Sequence, residues 1–162
     1  MVDITTLEDS EKSRDAAKTR FKTDLEYGKD AEYQILKRIQ NKYPLAFMIE
    51  GKFKAFDLFV PELGEGVEVK SDRQAEQTGN VFIEIECNHV CSGIRTTKAG
   101  WYIYQTKNRI FWVKTDVIKN YLIGKAKELP MFCNTPKGEH SPVRGYLIPI
   151  DHFKILAFHI SH

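Results

Sequence analysis

A strand-like pentapeptide, Gly66-Val-Glu-Val-Lys70, contains the residue types best suited to chemistry in this sequence. Side chains alternate between the two faces of a β-strand, so the valines are expected to pack on one face while Glu68 and Lys70 share the other. Eleven residues before Glu68, Asp57 interrupts an apolar run, where an uncompensated carboxylate would be costly to bury. A hairpin through 61–66 would lay the two segments side by side and bring both carboxylates together.

Two neighbouring carboxylates supply hard oxygen ligands of the kind that hold Mg²⁺, commonly with water and a substrate phosphate. A cation at this place could activate water for phosphodiester hydrolysis, and Lys70 could orient the water or neutralise developing charge. Glu32 is a third candidate, because it precedes the aliphatic stripe that begins at Ile35 at helical intervals. A simpler interpretation stays open, since Glu-x-Lys on a strand is frequent and usually forms a weak surface ion pair.

Hydrophobic periodicity and turn residues predict the elements that must position these groups. A first helix is expected from Thr23 to about Tyr43 and a second from Thr115 to about Glu128. The segments predicted as strands are 46–50, 53–60, 66–70, 81–86, 101–105, 110–113 and 145–150. A polar turn predicts a hairpin from the strands at 101–105 and 110–113, and a long loop precedes the last strand. The pattern indicates a mixed or antiparallel sheet with flanking helices.

Composition narrows the class of protein. The 162 residues, 42% hydrophobic and 28% charged, fit one domain, with 1–20 as an arm or surface helix and 21–162 as the folded part. A net charge of +2 does not by itself indicate a nucleic-acid binder, so a DNA-binding surface would need local clusters. Three cysteines and no leader-like N-terminus predict a reduced, cytoplasmic protein. The apolar runs are shorter than the ~20 residues of a membrane helix.

The order of Asp57 and Glu68-Val-Lys70 resembles the signature of the PD-(D/E)XK nuclease superfamily. Glu32 matches the acidic residue that many members place on their first helix, whereas Phe56 stands where the proline of the family name would be. The resemblance is to small phage-encoded endonucleases of this superfamily and covers about 21–150. The further segments that carry it are 28–32, 80–84, 92–97, 101–105 and 145–149.

This resemblance implies a single-domain α/β fold with a restriction-endonuclease-like core, in which helices flank a mixed central β-sheet. It also implies a Mg²⁺-dependent DNA endonuclease, with Mn²⁺ able to substitute, that acts in a host cytoplasm if it is phage-encoded. The implied catalytic residues are Glu32, Asp57, Glu68 and Lys70; the implied metal ligands are Asp57 and Glu68, with Glu32 and Glu84 as further candidates. Structure-selective or weakly sequence-specific cutting is expected, because so compact a domain has no obvious separate recognition module.

Basic and polar residues near the aromatic strand at 101–105 are candidates for binding DNA, although ordinary surface charge explains them equally well. Gln105 also matches a position where related nucleases carry a polar residue near the scissile phosphate. The full set of candidate DNA-binding residues is Arg95, Thr97, Lys98, Gln105, Lys107, Lys137 and Arg144.

Several alternatives stay open at this point. Cys87, His89, Cys91 and Cys133 are zinc-ligand types, but their spacing fits no standard zinc knuckle. The chain could be a non-catalytic DNA-binding protein with the same fold, or an exonuclease of the same superfamily. A homodimer is also possible, because two active sites are needed to cut both strands together.

Overall fold

The computed structural model describes residues 26–51, 55–134 and 142–162. The predicted arm at 1–20, the predicted helix start at Thr23 and the candidate Lys137 therefore lie outside the described residues. In chain order the elements are α1 (26–40), β1 (Phe47–Met48), β2 (Leu58–Val60), β3 (Glu65–Ser71), α2 (Ala75–Thr78), β4 (Asn80–Cys87), β5 (Val90–Cys91), a 3₁₀ turn (Gly93–Arg95), β6 (Trp101–Gln105), β7 (Ile110–Lys114), α3 (Thr115–Lys125), β8 (Met131–Asn134), β9 (Val143–Pro149), α4 (Ile150–Leu156) and β10 (His159–Ser161).

The strands form two sheets within one mixed α/β domain. The larger sheet has the order β1-β2-β3-β6-β7-β10; β3 and β6 run parallel, and its other neighbours are antiparallel. The smaller sheet, β5-β4-β9-β8, is antiparallel throughout. The expected mixed sheet with flanking helices is thus confirmed. The separation of β4 and β9 into a second sheet was not predicted.

Strand β3 organises the larger sheet because it lies between the hairpin partner β2 and the parallel strand β6. Leu58 is paired with Val67 on one side, and Glu68 is paired with Tyr102 on the other. Val67 and Val69 of β3 pack in one apolar cluster with α1, whereas Tyr102 belongs to a second cluster with β4, β9, α3 and α4. The alternation of side chains therefore sets Glu68 on the face opposite α1.

Helix α1 buries the aliphatic stripe that the sequence predicted. Ala31, Ile35, Leu36 and Ile39 are each at most 7% exposed and pack on the sheet. The helix ends at residue 40, three residues before the expected end at Tyr43. Two turn hydrogen bonds follow the end of the helix. The N–H groups of Lys42 and Tyr43 donate to the carbonyl of Ile39 at 3.0 Å and 2.9 Å. Pro44 follows, and a proline disfavours helical geometry in the residue before it.

Several strand predictions were correct in place but not in length, and six short elements were missed. The first two strands are shorter than expected, since β1 and β2 contain two and three residues. Three of the missed elements, α2, β5 and the 3₁₀ turn, flank β4. The other three are β8, which occupies the start of the predicted loop, and α4 and β10 at the C-terminal end. Strand β10 pairs with β7 and so completes the edge of the larger sheet. Within the described residues, no helix has both the length and the apolar character needed to cross a membrane.

Gly145 offers a test of how closely β4 and β9 approach. A Cβ at this position would collide with the carbonyl oxygen of Ile83 and the ring of Phe82. Overpacking of this kind typically costs about 1–3 kcal/mol, so we expect Gly145→Ala to lower the free energy of unfolding by about that amount. Gly124→Ala is the control, because a Cβ there meets no atom within 4 Å and should stabilise α3 by about 0.5–1 kcal/mol. Urea unfolding measures both; equal effects would contradict the close approach.

Candidate active site

Asp57 is held at the point where the pairing of β2 with β3 ends. Its backbone N–H donates to the carbonyl of Val67 at 2.9 Å, and its Oδ2 accepts the N–H of Val69 at 2.7 Å. The side chain thereby provides a partner for the N–H of Val69, which lies beyond the pairing of Leu58, the first residue of β2, with Val67. Only 6% of Asp57 is exposed. The hairpin has brought this carboxylate beside β3, as the sequence predicted.

Glu68 and Lys70 contact each other directly on β3. The Nζ of Lys70 lies 2.8 Å from Oε1 of Glu68, and the two side chains are 37% and 13% exposed respectively. The other carboxylate oxygen, Oε2, accepts the hydroxyl of Thr97 at 3.0 Å. Thr97 is itself fixed, because its N–H donates to the carbonyl of Gly93 at 3.0 Å and its Oγ1 accepts the N–H of Ala99 at 3.2 Å. Glu68 therefore has a defined orientation.

Three carboxylates act on the ammonium group of Lys70. Burial lowers the pKa of Lys70, but the negative charges of Glu68, Asp57 and Glu84 outweigh burial and raise that pKa. Lys70 therefore stays protonated at neutral pH. These four groups together carry more negative than positive charge, which favours a further cation at this place.

Glu84 approaches the site from the second sheet. The hydroxyl of Ser92 donates to its Oε1 at 2.7 Å, and Gly93 packs so closely that a Cβ would collide with the carbonyl of Glu84. Gly93 also has a φ of +54°, a backbone conformation that glycine adopts easily. The segment Ser92-Gly93 is thus shaped to hold Glu84. The charge of Glu84 acts on Lys70, and a role for Glu84 as a further acid near the metal stays a prediction.

Tyr102 is a site residue that the sequence analysis missed. It is fully buried, and among the described residues its hydroxyl has no hydrogen-bond partner. Burial raises the pKa of Tyr102 well above its ordinary value, and the charges of Glu68, Glu84 and Asp57 raise it further. The phenol is therefore a neutral donor beside the carboxylates. Tyr102 lies next to Glu68 because β6 pairs with β3. The residue pattern within one strand does not reveal with which other strand it pairs.

The donor set suits a hard cation that keeps much of its water. Asp57 and Glu68 offer carboxylate oxygens on neighbouring strands, and Mg²⁺ is usually held by one or two carboxylates plus water and substrate oxygens. Among the described residues, no group of three or more His, Cys, Asp or Glu side chains is arranged to hold a metal ion. A cation held by Asp57 and Glu68 would need further oxygen ligands from water and substrate.

The remaining predicted residues are not all at this site. Glu32 is half-buried on α1, which packs on the opposite face of β3, and its role stays a prediction. Thr97 is buried beneath Glu68 and is not a surface contact. Arg144 forms an ion pair with Glu86 at 3.3 Å, and Gln105 donates to Gln34 at 3.3 Å. The exposed candidates are Arg95, Lys98 and Lys107.

The cysteine-rich segment forms a tight hairpin. Cys87 pairs with Val90, and the two turn residues, Asn88 and His89, both have positive φ, of 54° and 63°. Such φ values are typical of the two-residue turns that join antiparallel strands. Cys87 and Cys91 are free thiols, and Cys133 lies on β8. The hairpin turn accounts for the close spacing of Cys87, His89 and Cys91. Zinc binding by these residues stays an open alternative.

Comparison of the chain with protein-family models, curated proteins and solved structures finds no match.

Thr97 allows the support of Glu68 to be tested. Thr97→Val keeps the shape of the side chain but removes the donor to Glu68 and the acceptor for Ala99. A buried polar group left without its partner costs about 1–3 kcal/mol, so we expect a loss of stability in that range. Thr97→Ser retains the hydroxyl and should lose less. Urea unfolding provides the measurement, and a valine variant as stable as the serine variant would contradict the assignment.

Proposed function

We propose that this protein is a Mg²⁺-dependent DNA endonuclease with a restriction-endonuclease-like core of the PD-(D/E)XK type. The observation that carries the proposal is the convergence of Asp57, which directly precedes β2, with Glu68 and Lys70 of the adjoining strand β3. Asp57 binds a β3 amide at 2.7 Å, and Glu68 contacts Lys70 at 2.8 Å. Two carboxylates beside one ammonium group supply the ligands and the positive charge that phosphodiester hydrolysis requires.

Asp57 and Glu68 would hold the cation, which when bound would activate water and offset charge on the phosphate oxygens. The protein's own groups act around it. Lys70 remains protonated, so its Nζ can stabilise the negative charge that develops on the phosphate. Thr97 holds Oε2 of Glu68 in place, and the neutral Tyr102 hydroxyl can donate to a water or an oxygen at the site. Mn²⁺, which takes similar oxygen ligands, would substitute for Mg²⁺.

A second candidate function is a DNA-binding protein that has kept this fold without catalysis. One observation favours it: both oxygens of Glu68 already have partners within the protein, Lys70 and Thr97. For catalysis, cation binding would have to compete with these contacts. A structural ion pair between Glu68 and Lys70 on β3 would need no such exchange.

Replacing Glu68 tests the catalytic proposal. Glu68→Gln keeps the side-chain shape but removes the ligand charge, so nicking of supercoiled circular DNA in Mg²⁺ should fall at least roughly 100-fold, since even groups that only orient a metal ligand are worth 10–100-fold. Glu128→Gln is the matched control. Glu128 also contacts a lysine, Lys125, at 2.8 Å, but it lies exposed after α3. Gel electrophoresis of the circular and nicked forms measures the rate.

Two results would contradict the proposal. Nicking by Glu68→Gln at the normal rate would remove Glu68 from the chemistry. Binding of circular DNA by the unaltered protein without cleavage in either Mg²⁺ or Mn²⁺ would favour the non-catalytic alternative. A closed circle is the chosen substrate because an exonuclease, which needs a strand end, leaves it intact. Cleavage of four-way, nicked and linear DNA under the same conditions then tests the proposed structure selectivity. Sedimentation tests whether the protein is a homodimer.

A further inference from the structure

An aromatic cleft lies on the face of the larger sheet opposite Glu68 and Lys70. Its volume is ≈ 510 Å³, within the roughly 300–1,000 Å³ of small-molecule sites. Trp101 and Trp112 form part of its floor, and Tyr43 and Phe158 form part of its walls. We refer to it as the aromatic cleft. It shares β3 and β6 with the candidate active site, because Val67 and Trp101 adjoin Glu68 and Tyr102 along these strands.

Phe158 is the most unusual residue of this cleft. It is 81% exposed, yet its ring meets that of Trp101 edge to face, with centroids 5.8 Å apart. An exposed ring that packs against a half-buried tryptophan leaves aromatic surface open to solvent. Such a surface can stack on another flat ring.

The charged side chains that line the aromatic cleft are basic. Arg38, Lys42 and His159 line it, and no acidic residue is among its described lining residues. Arg38 and Lys42 are four residues apart at the end of α1 and beyond, so both can reach the same rim. Arg38 donates one N–H to the carbonyl of His162 at 3.2 Å and retains further donors. A partner with negative charge and a flat ring is complementary to this combination.

We infer that the aromatic cleft binds an unpaired nucleotide of a single-stranded DNA segment. The base stacks on the exposed aromatic surface of Trp101 and Phe158, and the adjoining phosphates contact Arg38 and Lys42. Stacking is tolerant of sequence because every base has a flat face, and basic grooves with aromatic residues are typical of single-strand binding. The inference rests on the proposed function only in taking DNA as the nucleic acid, and it makes substrates with single-stranded segments the preferred class.

A second copy of the chain fits the cleft less well. Symmetric self-association would place Arg38 and Lys42 of one copy opposite the same residues of the other. Like charges facing each other oppose association. A concave surface also cannot fill an identical concave surface. The single-stranded occupant satisfies both the charge and the shape.

The chain's two tryptophans provide the measurement, because both line the aromatic cleft. Oligothymidylate added in EDTA, which prevents cleavage, should quench tryptophan emission with saturation. An abasic oligonucleotide of equal length and charge should bind roughly five-fold more weakly or worse, because it lacks the stacking contribution. Equal affinity for the two oligonucleotides would overturn the inference.

Phe158→Ala tests the position of the site, and its high exposure makes it compatible with folding. Fluorescence anisotropy of labelled oligothymidylate should show a Kd roughly five-fold higher or more. Phe132→Ala is the matched control, since Phe132 is also exposed and also meets another ring, that of Phe82, edge to face, but in the smaller sheet. Unchanged affinity in Phe158→Ala would overturn the inference. So would a dimer in sedimentation that Phe158→Ala dissociates.

The same measurements separate this inference from the proposed function. Glu128→Gln should bind oligothymidylate normally, because Glu128 lies exposed after α3 and does not line the aromatic cleft. Binding through the cleft by a protein that never cleaves DNA would support the inference and contradict the endonuclease. A protein that nicks circular DNA but binds oligothymidylate and the abasic strand equally well would support the endonuclease and contradict the inference.

Discussion

The covering of strand β3 on both faces constrains the rest of the structure. Its valines pack under α1, so Glu68 and Lys70 must face the second layer, where Tyr102 and the strands of the smaller sheet lie. Charges placed there lose much of their hydration, and this loss has to be offset by hydrogen bonds and opposite charges. The contacts of Glu68 with Lys70 and Thr97 meet this requirement.

The 3₁₀ turn and its flanking residues connect the two sheets at the candidate active site. Ser92, just before the turn, holds Glu84 of the smaller sheet, and Thr97, just after it, holds Glu68 of the larger sheet. One short segment therefore fixes two acids that originate on different sheets. Asp57 depends on the same region, since the carbonyl of Ala55, two residues before it, accepts the N–H of Lys98 at 3.2 Å. Local disruption of this segment would displace several acids at once.

The sequence allowed the core of the site to be predicted because its geometry is local. Alternation along β3 and a short hairpin suffice to place Asp57 against the backbone of β3, the strand that carries Glu68. The supporting groups could not be predicted in the same way, since Tyr102 reaches Glu68 only through the parallel pairing of β3 with β6. Strand β10 was missed for a related reason. It is three residues long, and it is a strand because β7 offers it an open edge.

The early end of α1 explains why one protein surface remains aromatic and open. The pattern predicted a helix to about Tyr43, but the helix stops at residue 40 and the chain turns before Pro44. A longer helix would extend over the sheet where Trp101 and Trp112 now line a cleft. The same turn presents Lys42 at the rim of that cleft. Helix length therefore divides the face of the sheet into a packed part, which stabilises β3 from behind, and an uncovered part that is free to bind.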